Sequence, residues 1–591
     1  MIVPFFLDTP EGALHVSLHM PPDARPASGW VVHVPAFAEE MNKSRAMVSR
    51  QARALAARGY AVVVPDLYGT GDSAGELREA TWALWQRNVE AVLDWVGEHG
   101  AGGVCLWGLR TGCLLALQVA RARHRQVARL VLWQPVLAGR QFLTQFLRLR
   151  MAAGLSDGRG ETTAILRERL DSGETLEVAG YELAPGLASQ LEQVSAQDLP
   201  PPADLAVVWL ELAGRADQPL SPAAQRVLQA WAEVGVAVHP RTAVGDAFWA
   251  TQEIALAPAL LESTVRALEE MRPAAVPHGP GPGAAGGPPV APVSVAGSAP
   301  GAELPLVFRC AGEELAGVLH RGAPAASTGV VLVVGGPQYR VGSHRQFVYL
   351  ARALAAQGVP VLRFDYRGMG DSAGAFAGFL SAGPDIASAI DALQHRCPQV
   401  SRVVLWGLCD AATAAACYAP NDQRVGGLVL LNPWVHSARG QARAYLRHYY
   451  LRRAFEAALW RKVLRGEFDL AGAVGSLVSN LRQLFARGRG AGRAAPAAGA
   501  PAAGCSAPED LAARLFEGLA RFPYPVLLIL SGRDLTAAQF SDAVDASRPW
   551  RRLLAHRRFT RHRLDAADHT FARRAWRDQV AQWSARWLQQ L

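Results

Sequence analysis

The chain repeats itself. The stretches ARALAA at 52–57, GTGDSAG at 69–75 and LWGL at 106–109 return as ARALAA at 351–356, GMGDSAG at 368–374 and LWGL at 405–408. All three share one offset of roughly 300 residues, and a common offset across separate motifs means two copies of one fold. At 591 residues the chain is too long for a single core, and half of it is hydrophobic, enough for two large ones.

Within each copy, apolar and β-branched runs alternate with helical stretches. In the first copy the runs fall at 30–35, 60–65, 103–107 and 127–133, after two short strand-like pieces at 2–7 and 14–19. This alternation predicts an α/β fold with a mostly parallel, doubly wound sheet covered on both faces. From 139 to about 198 the chain turns helical and polar, without buried strands, as an inserted cap would be. Strands resume at 205–212 and 236–242. Residues 272–304 are dominated by Pro, Ala and Gly and read as a linker. The expected domains are therefore 1–271 and 305–591. In the second, a cap spans about 436–522 and contains a low-complexity stretch, 486–508, expected to be disordered.

The second copy carries a constellation for nucleophilic catalysis. The run VVLWGLCDA (403–411) has the form of a nucleophile elbow, a sharp strand-to-helix turn with small residues two before and two after the nucleophile. Gly407 and Ala411 are those small residues, and Cys409 is the candidate nucleophile at a helix N-terminus. This architecture calls for an acid after a late strand, then a histidine after the last one. Asp534 follows the buried run 526–530, and His569 precedes the final helix. His569 would act as base toward Cys409, and Asp534 would orient the imidazole. Asp568 is set aside, because adjacent residues seldom face each other well enough for an orienting bond. The GDSAG stretch at 370–374 lies upstream of the elbow and reads as a structural turn formed by Asp371 and Ser372. The oxyanion donors are expected to be the N–H of Asp410 and that of Gly336 or Gln338, Pro337 having none.

The first copy lacks these groups. Its elbow, WGLRTG (107–112), holds Arg110 at the nucleophile position, and the histidine stretch has become GDAFW (245–249). An acid-position residue persists as Asp217. Arg110 could hold an anion or pair with Asp217. Glu39, Glu40, Lys43 and Arg45 concentrate charge in the loop expected beside this elbow.

The net charge is +9. One arginine cluster, 551–563, has no nucleic-acid module beside it and reads as a solvated surface, so no nucleic-acid partner is expected. Seven widely spaced cysteines without a CxxC pair fit a reducing compartment and argue against a disulfide framework or a zinc site. No metal or cofactor is expected. The N-terminal stretch 1–9 has no signal-peptide pattern, and no apolar run reaches membrane-span length, so a cytoplasmic location is expected.

Longer motifs carry a resemblance. Through GGPQYRVGSHR (335–345), RFDYRGMGDS (363–372) and the cysteine elbow, the second copy resembles the exosortase A system-associated hydrolase 1 family. Through FAEEMNKSR (37–45) and GLRTG (108–112), the first resembles the companion hydrolase 2 family. The resemblance implies α/β-hydrolase folds fused in one chain, in a setting of bacterial exopolysaccharide synthesis and PEP-CTERM protein sorting, with exopolysaccharide-biosynthesis proteins as partners. The Cys-Asp-His set is also similar to that of dienelactone hydrolases and some acyl-CoA acyltransferases. The expected activity is hydrolysis of an ester or thioester of a small acyl substrate through a cysteine acyl-enzyme. Two alternatives stay open: an acyltransferase using the same triad, and a non-catalytic, hydrolase-shaped interaction protein.

Overall fold

The structure is a computed structural model that describes residues 1–591 apart from 23–26, 101–102, 156–159, 216, 252–253, 272–300 and 436–510. The first half supplies β1 (Ile2–Leu7), β2 (Leu14–His19), β3 (Gly29–Val34), β4 (Tyr60–Pro65), β5 (Val104–Leu109), β6 (Val127–Trp133), β7 (Leu176–Val178), β8 (Tyr181–Leu183), β9 (Ala206–Ala213) and β10 (Val238–Val244). The second supplies β11 (Glu303–Cys310), β12 (Glu313–His320), β13 (Thr328–Val333), β14 (Val361–Phe364), β15 (Arg402–Leu408), β16 (Val425–Leu431), β17 (Val526–Ser531) and β18 (Phe559–Leu564). Two eight-stranded sheets result, ordered β1-β2-β4-β3-β5-β6-β9-β10 and β11-β12-β14-β13-β15-β16-β17-β18. In each, the second strand (β2 or β12) runs antiparallel to both its neighbours, and all other neighbouring pairs are parallel.

The repeat extends to register. Val31 pairs with Val62 and Cys105, and their counterparts Val330 pairs with Val361 and Val404. A register irregularity between Val104 and Cys105 recurs between Val403 and Val404. The central parallel strands are buried along nearly their whole length, because helices cover both faces and no strand face is left for water.

The two halves share their interior. Tyr339, Val341 and Val348 of the second half belong to a core cluster built on β3, β4 and β5 of the first. The outer strands β1 and β11 lie against each other. Between the halves runs a buried ionic network. Arg45 donates from Nε and Nη2 to Asp371 at 2.7 and 2.8 Å and from Nη1 to Asp66 at 2.8 Å. Arg340 reaches Asp72, Asp365 and Asp371 at 2.7–2.8 Å, and Arg363 reaches Asp72 at 2.6 Å. Asp371 therefore does more than form its turn.

Some sequence expectations need correction. The first cap contains a two-stranded hairpin, β7–β8, with Leu176, Val178 and Leu183 fully buried. Each strand is three residues long, too short for a period-two signal. Its turn uses Ala179 and Gly180 at φ 48° and 86°, so Ala stands where Asn would have advertised a turn. The edge strand β18 also lay unread inside the arginine cluster. There Arg551, Arg552, Arg557, Arg561 and Arg563 are exposed, while Arg558 donates to the Leu519 carbonyl. β11 begins at Glu303, inside the stretch expected as linker; the rest of that stretch to 300, and the low-complexity segment 486–508, lie outside the described residues. Of the second cap, the described part is the helix Leu511–Arg521 and the residue that follows it.

Candidate active site

The elbow after β15 has the backbone strain that exposes a side chain. Cys409 sits at φ 61°, ψ −124°, and Arg110 in the first half at φ 56°, ψ −118°. The turn is so tight that a Cβ on Gly407 would lie 2.7 Å from the Ala411 backbone, and one on Gly108 would lie 2.7 Å from the Cα of Cys113. Ala411 fits two residues past the nucleophile position, fully buried.

His569 lies in the loop between β18 and the helix Arg574–Leu588, and its Nδ1 meets Asp534 Oδ2 at 2.9 Å. Asp534 is also the N-cap of the helix Leu535–Ala546, accepting from the Thr536 and Ala537 N–H groups at 3.1 and 3.0 Å. Capping and orienting are thus the same act, because the cap fixes the carboxylate that faces the imidazole. Cys409 acts on the same ring and adds to its basicity. Burial alone would lower the histidine's pKa, but Asp534 and Cys409 outweigh it and push it up to about 10. His569 therefore carries its proton at neutral pH. The Asp568 carboxylate accepts instead from the Ala572 N–H at 2.9 Å.

Asp410 adds something the sequence did not suggest. Its Oδ2 accepts from the Gly336 N–H at 3.1 Å, its Oδ1 from the Ala411 N–H at 3.0 Å, and its own N–H also bonds the carboxylate. An acidic side chain therefore occupies donors of the kind an oxyanion would use. Burial pushes the Asp410 carboxyl up from its ordinary range. Gln338 hydrogen-bonds Ser343 through its side chain.

Asn432, also missed, ties the site to the sheet. At φ 43° beyond β16, it donates from Nδ2 to the His569 carbonyl at 3.0 Å and to Ser531 Oγ at 2.9 Å, and accepts from the Ser531 N–H. The available signal was a polar residue ending an apolar run, matched in the first half by Gln134, which accepts from the Leu212 N–H.

In the first half, Arg110 does not meet Asp217. Its guanidinium pairs with Glu40 at 3.0 Å and donates to the Gln134 carbonyl, and the Trp249 ring lies over it at 5.2 Å. Asp217 is exposed. The reason follows from the second half, where the acid faces the histidine and not the nucleophile; with no histidine, Asp217 has nothing to orient. Elsewhere, His15, Asp66 and Asp72 bring three ligand atoms within 4.8 Å of one another. Arg45, Arg340 and Arg363 already neutralise those carboxylates, so the cluster fits an ion-pair network and not a cation site.

Two family models match the chain. Residues 12–200 match that of the X-Pro dipeptidyl-peptidases of the S15 family, and residues 326–467 that of the S33 serine aminopeptidases. No curated protein matches. Among solved structures, an esterase from Pyrococcus furiosus is similar at 15% identity, covering 49% of this chain and 91% of its own, with a TM-score of 0.33. The Butyrivibrio proteoclasticus protein Est1E, seen with ferulic acid bound, is similar at 17% identity, covering 45% and 96%, with a TM-score of 0.34. Mouse alpha/beta hydrolase domain-containing protein 10 is similar at 21% identity, covering 45% and 99%, with a TM-score of 0.30. The two sheets and the two family matches make the chain a tandem of α/β-hydrolase folds and support a hydrolase. Among the described residues, no helix is long and apolar enough to cross a membrane.

Proposed function

We propose that the second half hydrolyses an ester or thioester through a cysteine acyl-enzyme, with Cys409 as nucleophile, His569 as acid and base, and Asp534 as its orienter. One observation carries the reading: an imidazole at the end of a parallel sheet, bonded to a capping carboxylate at 2.9 Å and made more basic by the cysteine at the elbow. Beside the protonated imidazole, the sulfur attacks the substrate carbonyl as thiolate and forms the C–S bond. The carbonyl electron pair moves to oxygen. Collapse breaks the bond to the leaving group, which takes the proton from His569. Water then gives a proton to His569 as it attacks the thioester, and the second collapse releases the acid and restores the thiolate–imidazolium pair.

For the oxyanion to reach the Gly336 and Asp410 N–H groups, the Asp410 carboxylate must swing away from them. The first half, with Arg110 closed on Glu40, takes no part in bond making. The exosortase-associated setting rests on the motifs at 37–45, 335–345 and 363–372. An acceptor other than water would turn the same cycle into acyl transfer.

The test is alkylation. Iodoacetamide at mildly acidic pH should modify Cys409 ahead of Cys105 and Cys113, whose thiols burial pushes up (that of Cys105 to about 12), and ester turnover should fall in step. Turnover that survives full modification of Cys409, or that persists in Cys409→Ala, contradicts the assignment.

A further inference from the structure

We propose that the first half works as a brace for the second half's catalytic histidine, with Gly180, Tyr181 and Glu177 of its cap hairpin and His344 of the second half as positioning residues. This rests on the triad reading above.

The loop that carries His569 is held at two points beyond it. At the first, His344 donates from Nε2 to the carbonyl of Thr570, the next residue, at 3.2 Å. Burial pushes His344 down to about 3, with the Arg577 charge adding to it, so the ring is neutral and its single N–H is the one aimed at Thr570. At the second, the Arg574 N–H, at the start of the final helix, donates to Glu177 Oε1 at 2.8 Å, and the Arg574 guanidinium meets Glu182 at 3.2 Å. Glu177 and Glu182 are on β7 and β8.

His344 does not hold its own position. It lies at φ 42°, ψ 37° in a segment where Gly342 and Arg345 also have positive φ. Such strain persists only where the surroundings over-determine it. Here they belong to the first half. Arg345 donates to the carbonyls of Gly71, Ser73 and Gly75 at 2.6–2.8 Å. The Tyr181 ring meets the His344 ring edge-on, and its hydroxyl donates to Glu39 at 2.8 Å. Glu39 in turn accepts from the His344 backbone N–H. The closest contact is at Gly180, where a Cβ would lie 2.4 to 2.9 Å from three atoms of His344. The absence of a side chain there is what lets the hairpin seat the ring.

A misplacement of the order of 1 Å in a catalytic group is enough to cost about 10²-fold in rate. The hairpin therefore bears on kcat from a half that makes no bond to substrate.

The experiment uses the full chain and p-nitrophenyl acetate, with kcat, KM and the alkaline limb of the pH profile as readouts. The groups facing His569 are Asp534, Cys409, Asp410 and Asp568, and none of them is altered by the variants. Gly180→Ala pushes on His344, and His344→Leu removes its donor. Gly173→Ala is the control, since Gly173 has φ 96° in the same cap with nothing within 4 Å of its Cβ position. His344→Gln keeps an N–H donor. The expected result is a kcat lower by on the order of tenfold or more in Gly180→Ala and His344→Leu, KM within about twofold, and the alkaline limb moved to lower pH. Gly173→Ala and His344→Gln should stay within about twofold of wild type. The downfield Nδ1–H proton resonance of His569, absent in His569→Ala, should weaken or shift in the same two variants. Unchanged kcat and an unchanged resonance in both would overturn the brace, as would an equal loss in Gly173→Ala. If Gly180→Ala fails to fold, the contrast between His344→Leu and His344→Gln decides. Turnover surviving in Cys409→Ala would instead refute the triad reading, and the resonance would still test the brace.

Discussion

Removing Arg45 should weaken both halves at once. Its guanidinium makes two bonds to Asp371 of the second half and one to Asp66 of the first, and its side chain is 3% exposed. In Arg45→Met, Asp371 keeps Arg340, but Asp66 is left with His15 and the Asp72 N–H. Breaking one side of a buried pair leaves an uncompensated charge and costs about 3–5 kcal/mol. With a urea dependence of about 3 kcal/mol per molar, the midpoint should fall by roughly 1–1.7 M. Hydrogen exchange should rise both in the turn around Asp371 and in β2 and β4, because the pair spans the halves. A loss under about 1 kcal/mol, the level of a surface pair, would refute the claim that this network holds the halves together. The pH dependence has a definite sign. Burial alone would raise the Asp371 carboxyl, but Arg45 and Arg340 hold it well below the ordinary carboxylate range. Its contribution is therefore present above about pH 4, where the unfolded carboxyl is ionised, and is lost as pH falls below that.

Two further substitutions test the chemistry. Asp534→Asn removes the leading cause that raises His569, so the alkaline limb of turnover should move from near pH 10 toward the ordinary histidine range, and kcat should drop by about 10²-fold or more; an unmoved limb in the pH–rate profile would contradict the orienting role. Asp410→Ala frees the Gly336 N–H, so kcat/KM for an activated ester should rise by about tenfold; a fall of that size would mean that the carboxyl takes part in catalysis instead of blocking it.

The sheets were legible because the repeat and the apolar strand runs are local signals. Val127–Trp133 and Tyr60–Pro65 fall where the runs placed them. The grouping of Asp534 and His569 was legible for a different reason: chain order and strand ends place them without any knowledge of packing. What stayed hidden depends on contacts between distant segments. Asp371 and Ser372 read as turn formers, and they are, but only the fold reveals that Asp371 faces Arg45 across the two halves. Asp410 reads as the source of an oxyanion N–H, and its side chain's occupation of the Gly336 N–H needs the loop after β13 to be in place. The β7–β8 hairpin was invisible because three-residue strands carry no periodicity and Ala179 hides the turn.

Covalent acyl chemistry at Cys409 would show itself as a gain in mass. The intact protein is exposed briefly to activated acyl esters and acyl thioesters, and the adduct is located by peptide mapping. The expected result is one acyl group on Cys409, formed in the wild type and absent in His569→Ala. No adduct from any donor on folded protein, or an adduct on another residue with turnover retained, would contradict it.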